Sequence, residues 1–347
     1  MIPLVLLTLL IAGLVVAGLA VWSTVAAARA ARAYPPEGEF VELGAPFAPA
    51  RLHHVDRGTA RPGVAPVILI HGASGNLRDM TASLAPALEG HTRVVAIDRP
   101  GHGWSMRGPH PDISDPAMQA RAIHDAARKL GIERPVVLGH SWGAAVAAAY
   151  ALEFADEISG VLLLSGALYP WPGDIAWYHK VVGAPFAGDA FLRTLTVPGG
   201  SLLAAAGVKG NFHPDPAPEG YAGTIGLPLL FRPSHFRANS ADTAGLKARL
   251  AVQSLRYAEI AVPTIIVTGN ADYTVSPKIH SYAFHKAVAG SELVKLKGAG
   301  HMPHHSRRDV VVDAVLRLAR GETPFDSMVT IYADGRVERE VRSTHTG

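Results

Sequence analysis

Cysteine is absent from the 347 residues, which excludes a disulfide framework, a thiolate metal site and a cysteine nucleophile, and leaves the redox compartment open. Charge is sparse: Asp, Glu, Lys and Arg make up 18% of the chain, the formal net charge is +3, and the basic residues are scattered. Such a chain has no electrostatic footprint for nucleic acid, so that class of partner is set aside. Internal repeats and low-complexity tracts are missing as well. What remains is length enough for one large domain with an insertion, or two modest domains, around a substantial core.

One stretch lacks charge altogether. From Ile2 to Ala28 the chain is dominated by Leu, Ile, Val and Ala, longer than the roughly 20 residues a helix needs to cross a bilayer. It reads as a single-pass N-terminal membrane anchor. A cleaved signal peptide is the alternative. It requires a basic n-region and a shorter apolar run, and neither is present, although Ala-x-Ala sites between Ala26 and Ala33 suit cleavage. Arg29 and Arg32 follow the span and nothing basic but the terminal amine precedes it, so the positive-inside bias places the rest of the chain on the cytoplasmic side.

The stretch with most chemistry in it runs from Pro135 to Ala149. A β-branched run (Val136, Val137, Leu138) passes through Gly139-His-Ser-Trp-Gly143 into an alanine-rich segment. That is a strand, a sharp turn and a helix. The glycines sit where a turn tight enough to expose a serine hydroxyl would drive side chains into the neighbouring strand and helix, which makes Ser141 the candidate nucleophile.

Taken in order, Phe40 to Leu43 and Leu52 to Val55 predict an opening antiparallel pair. Pro66 to Ile70 has the continuous apolar character of a buried parallel strand and ends in the glycine-rich turn His71 to Asn76, whose free N–H groups can face an anion. A helix over 77–88 and a buried strand over 92–97 follow. Asp98 then opens a glycine-rich loop, as a catalytic acid or, more simply, as the cap of that loop. A helix over 115–130, the Ser141 unit and a strand over 160–165 complete an alternation that implies a parallel sheet covered on both faces. From 167 to 258 the alternation stops and prolines and aromatics accumulate, which predicts an inserted, mostly helical cap. It resumes with strands over 263–268 and 292–296, helices over 277–288 and 302–320, and a hairpin centred on Asp334-Gly335.

The turn 71–75, Ser141, Asp272 and His301 each follow a predicted parallel strand, and such loops converge on one crevice. A serine hydroxyl needs an imidazole to take its proton and a carboxylate to orient that imidazole, and the chain order Ser, Asp, His supplies both. Over residues 38–320 the sequence resembles the α/β-hydrolase-fold enzymes, in their capped esterase and lipase-like branch. The resemblance rests on His71-Gly72, Asp98-x-Pro-Gly-x-Gly-x-Ser105, Gly139-His-Ser-Trp-Gly143, Gly269-x-x-Asp272 and Gly300-His301 in the family's order. It implies Ser141 as nucleophile, His301 as general base and then acid, Asp272 as the orienting acid, and the backbone N–H groups of Ala73 and Trp142 as the oxyanion hole. Relatives that open epoxides or displace halide carry aspartate at the position of Ser141, so those reactions are not expected.

The implied organisation is an anchor over 1–33, a hydrolase core over 34–166 and 259–321, a cap over 167–258 and a hairpin tail over 322–347. The expected activity is hydrolysis of a hydrophobic or lipid-like carboxylic ester, a small-molecule substrate, with no cofactor and no metal. The pair His304–His305 beside His301 is too thin a tract to predict a metal centre. Three alternatives stay open. One is a serine-dependent carbon–carbon bond hydrolase, for which Arg99, Arg232 or Arg237 would hold a substrate carboxylate. Another is a proline-aminopeptidase-like peptidase, which would need acidic residues among Asp174, Asp189, Asp215, Glu219 and Asp242. The third is a non-catalytic binding protein on the same fold.

Overall fold

The computed structural model describes residues 2–341; of the segment 322–347, residues 342–347 lie outside that range. In chain order the helices are α1 (Ile2–Ala33), α2 (Leu77–Ser83), α3 (Ala85–Leu88), α4 (Pro116–Lys129), α5 (Trp142–Glu153), α6 (Trp177–Gly183), α7 (Ala187–Thr194), α8 (Thr196–Phe212), α9 (Tyr221–Thr224), α10 (Pro233–Gln253), α11 (Ser281–Ala287), α12 (Pro303–Ser306) and α13 (Arg308–Ala319). The strands are β1 (Glu39–Glu42), β2 (Arg51–Arg57), β3 (Val67–Ile70), β4 (Val94–Ile97), β5 (Val136–His140), β6 (Gly160–Leu164), β7 (Thr264–Gly269), β8 (Glu292–Leu296), β9 (Ser327–Ile331) and β10 (Val337–Val341).

Among the described residues the strands form one ten-stranded sheet in the order β1-β2-β4-β3-β5-β6-β7-β8-β9-β10, parallel from β4 to β9 and antiparallel at both edges. The central strands are buried on both faces, which explains their uninterrupted apolar runs. Alternate residues serve opposite cores. Ile68, Ile70, Val95 and Val137 pack with α4 and α5, whereas Val67, Leu69, Val94 and Val136 pack with α2, α3 and α13. Alanine dominates α5 because the helix must lie close against the sheet immediately after the turn at Ser141. Ten of its residues are buried.

Two predicted helices are broken. The stretch 77–88 divides at Leu84, because Pro86 has no N–H to carry the ladder on and can sit only in a first helical turn. The stretch 302–320 divides at Arg307, which takes φ −140°. The C-terminal hairpin proves to be part of the sheet: β9 pairs in parallel with β8, from Glu292 opposite Ser327 to Leu296 opposite Ile331. Between β6 and β7, α6 to α10 form a helical layer whose own small core contains Val182, Leu192, Leu230 and Phe236.

Candidate active site

The turn after β5 is built by close approach. Ser141 adopts φ 52° and ψ −116°, a left-handed conformation that costs on the order of 1–3 kcal/mol and projects its hydroxyl from the sheet edge. A Cβ on Gly139 would lie 2.2 Å from the Gly143 carbonyl oxygen, and one on Gly143 would lie 2.5 Å from that of His71. Only glycine fits at either place, which gives the G-x-S-x-G spacing its physical content. The turn is pinned by the Ser141 N–H to the Leu164 carbonyl at 2.9 Å and by the Ala167 N–H to the Ser141 carbonyl at 3.1 Å.

His301, 160 residues further on, brings Nε2 to 3.0 Å from Ser141 Oγ, and its Nδ1 lies 2.7 Å from Asp272 Oδ2. An ionised carboxylate only accepts, so Nδ1 carries the proton and Nε2 presents its lone pair to the serine hydroxyl. Asp272 is held in turn: its Oδ1 accepts the N–H groups of Thr274 and Val275, both at 2.8 Å. His301 and Asp272 are buried and Ser141 is partly exposed. The N–H groups of Ala73 and Trp142 have no acceptor among the described residues. The two backbones approach closely enough that a Cβ on Gly72 would lie 3.0 Å from Ser141 Cβ.

The remaining histidines and acids scaffold this arrangement. His71 donates from Nδ1 to the Gly72 carbonyl at 2.8 Å and accepts the Arg99 N–H on Nε2 at 3.0 Å, which shapes the turn carrying Ala73. Asp98 does not reach His301. It accepts the N–H groups of Leu77 at 2.7 Å and Trp104 at 2.8 Å, and a bond from His53 Nδ1 at 2.7 Å, so it acts as the cap of its loop. His140 reaches the His301 carbonyl through Nε2 at 3.0 Å and ties the serine turn to the histidine loop.

Two further contacts had no local signal in the sequence. Asp215, from the helical layer, accepts the Gly300 N–H at 3.0 Å. His304 and His305 turn away from His301 to the buried Asp79, at 2.9 and 2.8 Å, and Tyr221 donates to the same carboxylate at 3.0 Å. Burial alone would raise the Asp79 pKa, but the two imidazoles hold it well below the usual carboxylate range. Among the described residues these three side chains are grouped closely enough to hold an ion, but the carboxylate is already shared by three donors.

The cations weighed for a substrate carboxylate are engaged. Arg99 pairs with Asp242 at 2.7 Å, Arg237 pairs with Asp189, and Arg232 donates to the Gly103 carbonyl. Four of the five acids weighed for a substrate amine are likewise paired: Asp174 with Lys180, Asp189 with Arg237, Asp215 with Arg307, and Asp242 with Arg107 as well as Arg99.

Burial lowers the pKa of His71 to about 4, of His235 to about 3 and of His280 to about 4. Each is held neutral by the N–H it accepts, Gly103 for His235 and Leu168 with Tyr169 for His280. Below pH 6.5 the unfolded chain takes up protons that the folded chain refuses. Stability is therefore lost as pH falls from about 6.5 towards 4, at about 1.4 kcal/mol per pH unit for each histidine. Thermal unfolding at pH 7.5, 6 and 5 should show Tm falling ever more steeply; a constant Tm over that range would contradict this assignment.

A parallel sheet carrying a strained serine turn, with an acid and a histidine on later strand ends, defines an α/β-type hydrolase. The sequence model of the alpha/beta hydrolase fold matches residues 65–307, and the chain belongs to that family. It is 28% identical over 284 residues to haloalkane dehalogenase 2 of Mycobacterium tuberculosis, covering 77% of this chain and 90% of the relative. It is 29% identical over 141 residues to monoacylglycerol lipase abhd6-A of Xenopus laevis, covering 40% and 41%. Among solved structures, a thermophilic esterase from Thermogutta terrifontis superposes with a TM-score of 0.62 at 20% identity, over 82% of this chain and 100% of its own. That last likeness is one of fold.

Proposed function

We propose that the protein is a membrane-anchored serine hydrolase that cleaves carboxylic esters of a hydrophobic or lipid-like substrate through an acyl-enzyme. The observation that carries this is the line Asp272–His301–Ser141, at 2.7 and 3.0 Å, ending beside two N–H groups without acceptors. His301 Nε2 takes the Ser141 proton as Oγ attacks the ester carbonyl, and the Ala73 and Trp142 N–H groups receive the oxyanion. Collapse of the tetrahedral intermediate expels the alcohol, protonated by His301, and leaves acyl-Ser141. Water, deprotonated by the same imidazole, then releases the acid and restores the serine.

The likeness to a haloalkane dehalogenase carries no halide chemistry over to this chain. Displacement of halide by Ser141 would leave an alkyl ether, which has no carbonyl for water to attack, so turnover would stop after one event. The similarity to a monoacylglycerol lipase and the fold shared with an esterase agree with acyl transfer. The proposed division is an anchor over 1–33, a core over 34–166 and 259–321, a cap over 167–258, and a C-terminal segment over 322–347 whose strands β9 and β10 extend the core sheet. The anchor reading supplies the lipid-like substrate class, since an esterase tethered to a bilayer meets such esters at high local concentration.

The test is covalent labelling of the full-length chain by a fluorophosphonate, wild type beside Ser141→Ala, followed by p-nitrophenyl esters of short and long acyl chains. Labelling lost with Ser141 and rates rising with chain length are expected. A folded wild type that neither labels nor hydrolyses any ester would overturn the proposal in favour of a binding role.

A further inference from the structure

The helical layer is itself attached to α1. Residues 2–18 of α1 are exposed throughout, but from Leu19 onwards its faces become partly covered, and Ser23 and Ala30 are buried. The Ser23 hydroxyl donates to the Thr194 carbonyl of α7 at 3.4 Å. A groove of about 250 Å³ where α1 and α8 meet α9 and the turn 227–231 is lined in part by Ala26, Ala27, Val197, Ser201 and Ala204. A helix rises 1.5 Å per residue, so the stretch from Ile2 to Trp22 spans roughly the 30 Å of a bilayer's hydrocarbon core. Trp22, 48% exposed, then falls at the interface, where indole rings settle. The contacts with α7 and α8 begin at that same depth.

The outward side of this region is apolar and has no partner among the described residues. Leu202 is 82% exposed, Leu203 65%, Leu195 48% and Phe186 90%. No charged side chain lies between Arg193 and Lys209. Leu202 and Leu203 sit between Ser201 and Ala204, which face Ala26 and Ala27 across the groove, and those alanines lie only four and five residues past Trp22. Large exposed apolar residues grouped in this way mark an interaction surface. Their continuity with the packed end of α1 identifies what covers them.

We infer that this face of the cap is a second bilayer-contact surface. Phe186, Leu195, Leu202 and Leu203 enter the boundary between headgroups and acyl chains, to the depth of about 5–10 Å typical of interfacial helices, and hold the cap against the membrane beside α1. The inference rests on the reading of α1 as an anchor, and it gives the cap a role that a simple tether does not: a lipid-like ester can pass from the acyl region to the cap without crossing water.

The absence of cysteine makes the test direct, since any introduced thiol is unique. Full-length Leu10→Cys, Leu202→Cys and Arg128→Cys proteins, each carrying an environment-sensitive fluorophore, are reconstituted into phosphatidylcholine vesicles containing lipids with a nitroxide on the acyl chain. Position 10 should be strongly quenched, position 202 quenched at least twofold by a nitroxide near the headgroup, and position 128 unaffected. Quenching at 10 but not at 202 overturns the cap surface and leaves the anchor standing, whether position 202 is then found in water or against a second copy of the chain. No quenching at 10 overturns the anchor, and this inference with it. Independently, the double change Leu202→Asp and Leu203→Asp should lower hydrolysis of a bilayer-embedded long-chain ester about tenfold while a water-soluble short ester is cleaved as before. Equal rates on the embedded ester would refute the functional half of the claim.

Discussion

Replacing His301 with alanine is expected to lower kcat for ester hydrolysis by about a millionfold, because the members of a serine triad act as a unit and loss of the base disables the nucleophile as well. The fold should survive. Asp272 keeps the Thr274 and Val275 N–H groups on Oδ1 after losing its bond from Nδ1, so the cost is that of one buried acceptor, about 1–3 kcal/mol. Asp272→Asn should cost less, on the order of ten-thousandfold, since the imidazole remains but its tautomer is no longer imposed. Steady-state kinetics beside circular dichroism separates the two effects. Activity within tenfold of wild type in a folded His301→Ala protein would move the base elsewhere and dismantle the mechanism.

The second large effect is on stability. Asp242 of α10 and Arg99 are both fully buried, 2.7 Å apart, and the same carboxylate takes Arg107 at 2.6 Å and the Gln119 amide at 2.9 Å. Burial lowers the Arg99 pKa to about 10, against the pull of Asp242, so the guanidinium stays charged at neutral pH. Asp242→Ala leaves that charge buried without its counterion, which costs about 3–5 kcal/mol. In a protein of this size that is a fall in Tm on the order of 10 °C. Arg99 also donates to the carbonyls of His71 and Gly72 and lies 4.1 Å above the Trp142 ring, so both residues proposed for the oxyanion hole loosen with it and kcat should fall too. A loss under 1 kcal/mol in denaturant unfolding would mean that water reaches the site and the pair is not isolated. Replacing both partners together by apolar residues of similar volume should recover part of the stability, because the desolvation cost disappears with the charges.

Much of this fold is legible in one dimension. The runs at Val67–Ile70, Val136–Leu138 and Gly160–Leu164 are apolar without alternation because both faces of those strands are covered, and composition alone reports that. Gly139 and Gly143 reveal the strained turn because no other residue fits against the facing carbonyls. The three side chains of the proposed triad are likewise readable, since each follows a strand and parallel strands deliver their loops to one edge.

Other features depend on where the chain returns in space. The Asp79 carboxylate meets His304 and His305 across more than 220 residues, and nothing in the local pattern of either segment announces the other. Arg99 and Asp242, Asp215 and the Gly300 N–H, and α1 on the helical layer are pairings of the same kind. The Asp334-Gly335 turn predicted a hairpin, but only the tertiary structure showed that β9 lies in parallel beside β8.

The order of elements, the buried strands, the serine turn and the apolar first helix are all readable along the chain, because they follow from local sterics and from uninterrupted apolar runs whose lengths suit a buried strand or a bilayer-length helix. The tertiary structure alone decided which buried charges are paired, which histidines serve as scaffold and which face of the cap lies beside α1. Each of those is set by contacts between segments far apart in the chain, and a hydrogen bond or a salt bridge leaves no periodic trace in the residues that make it.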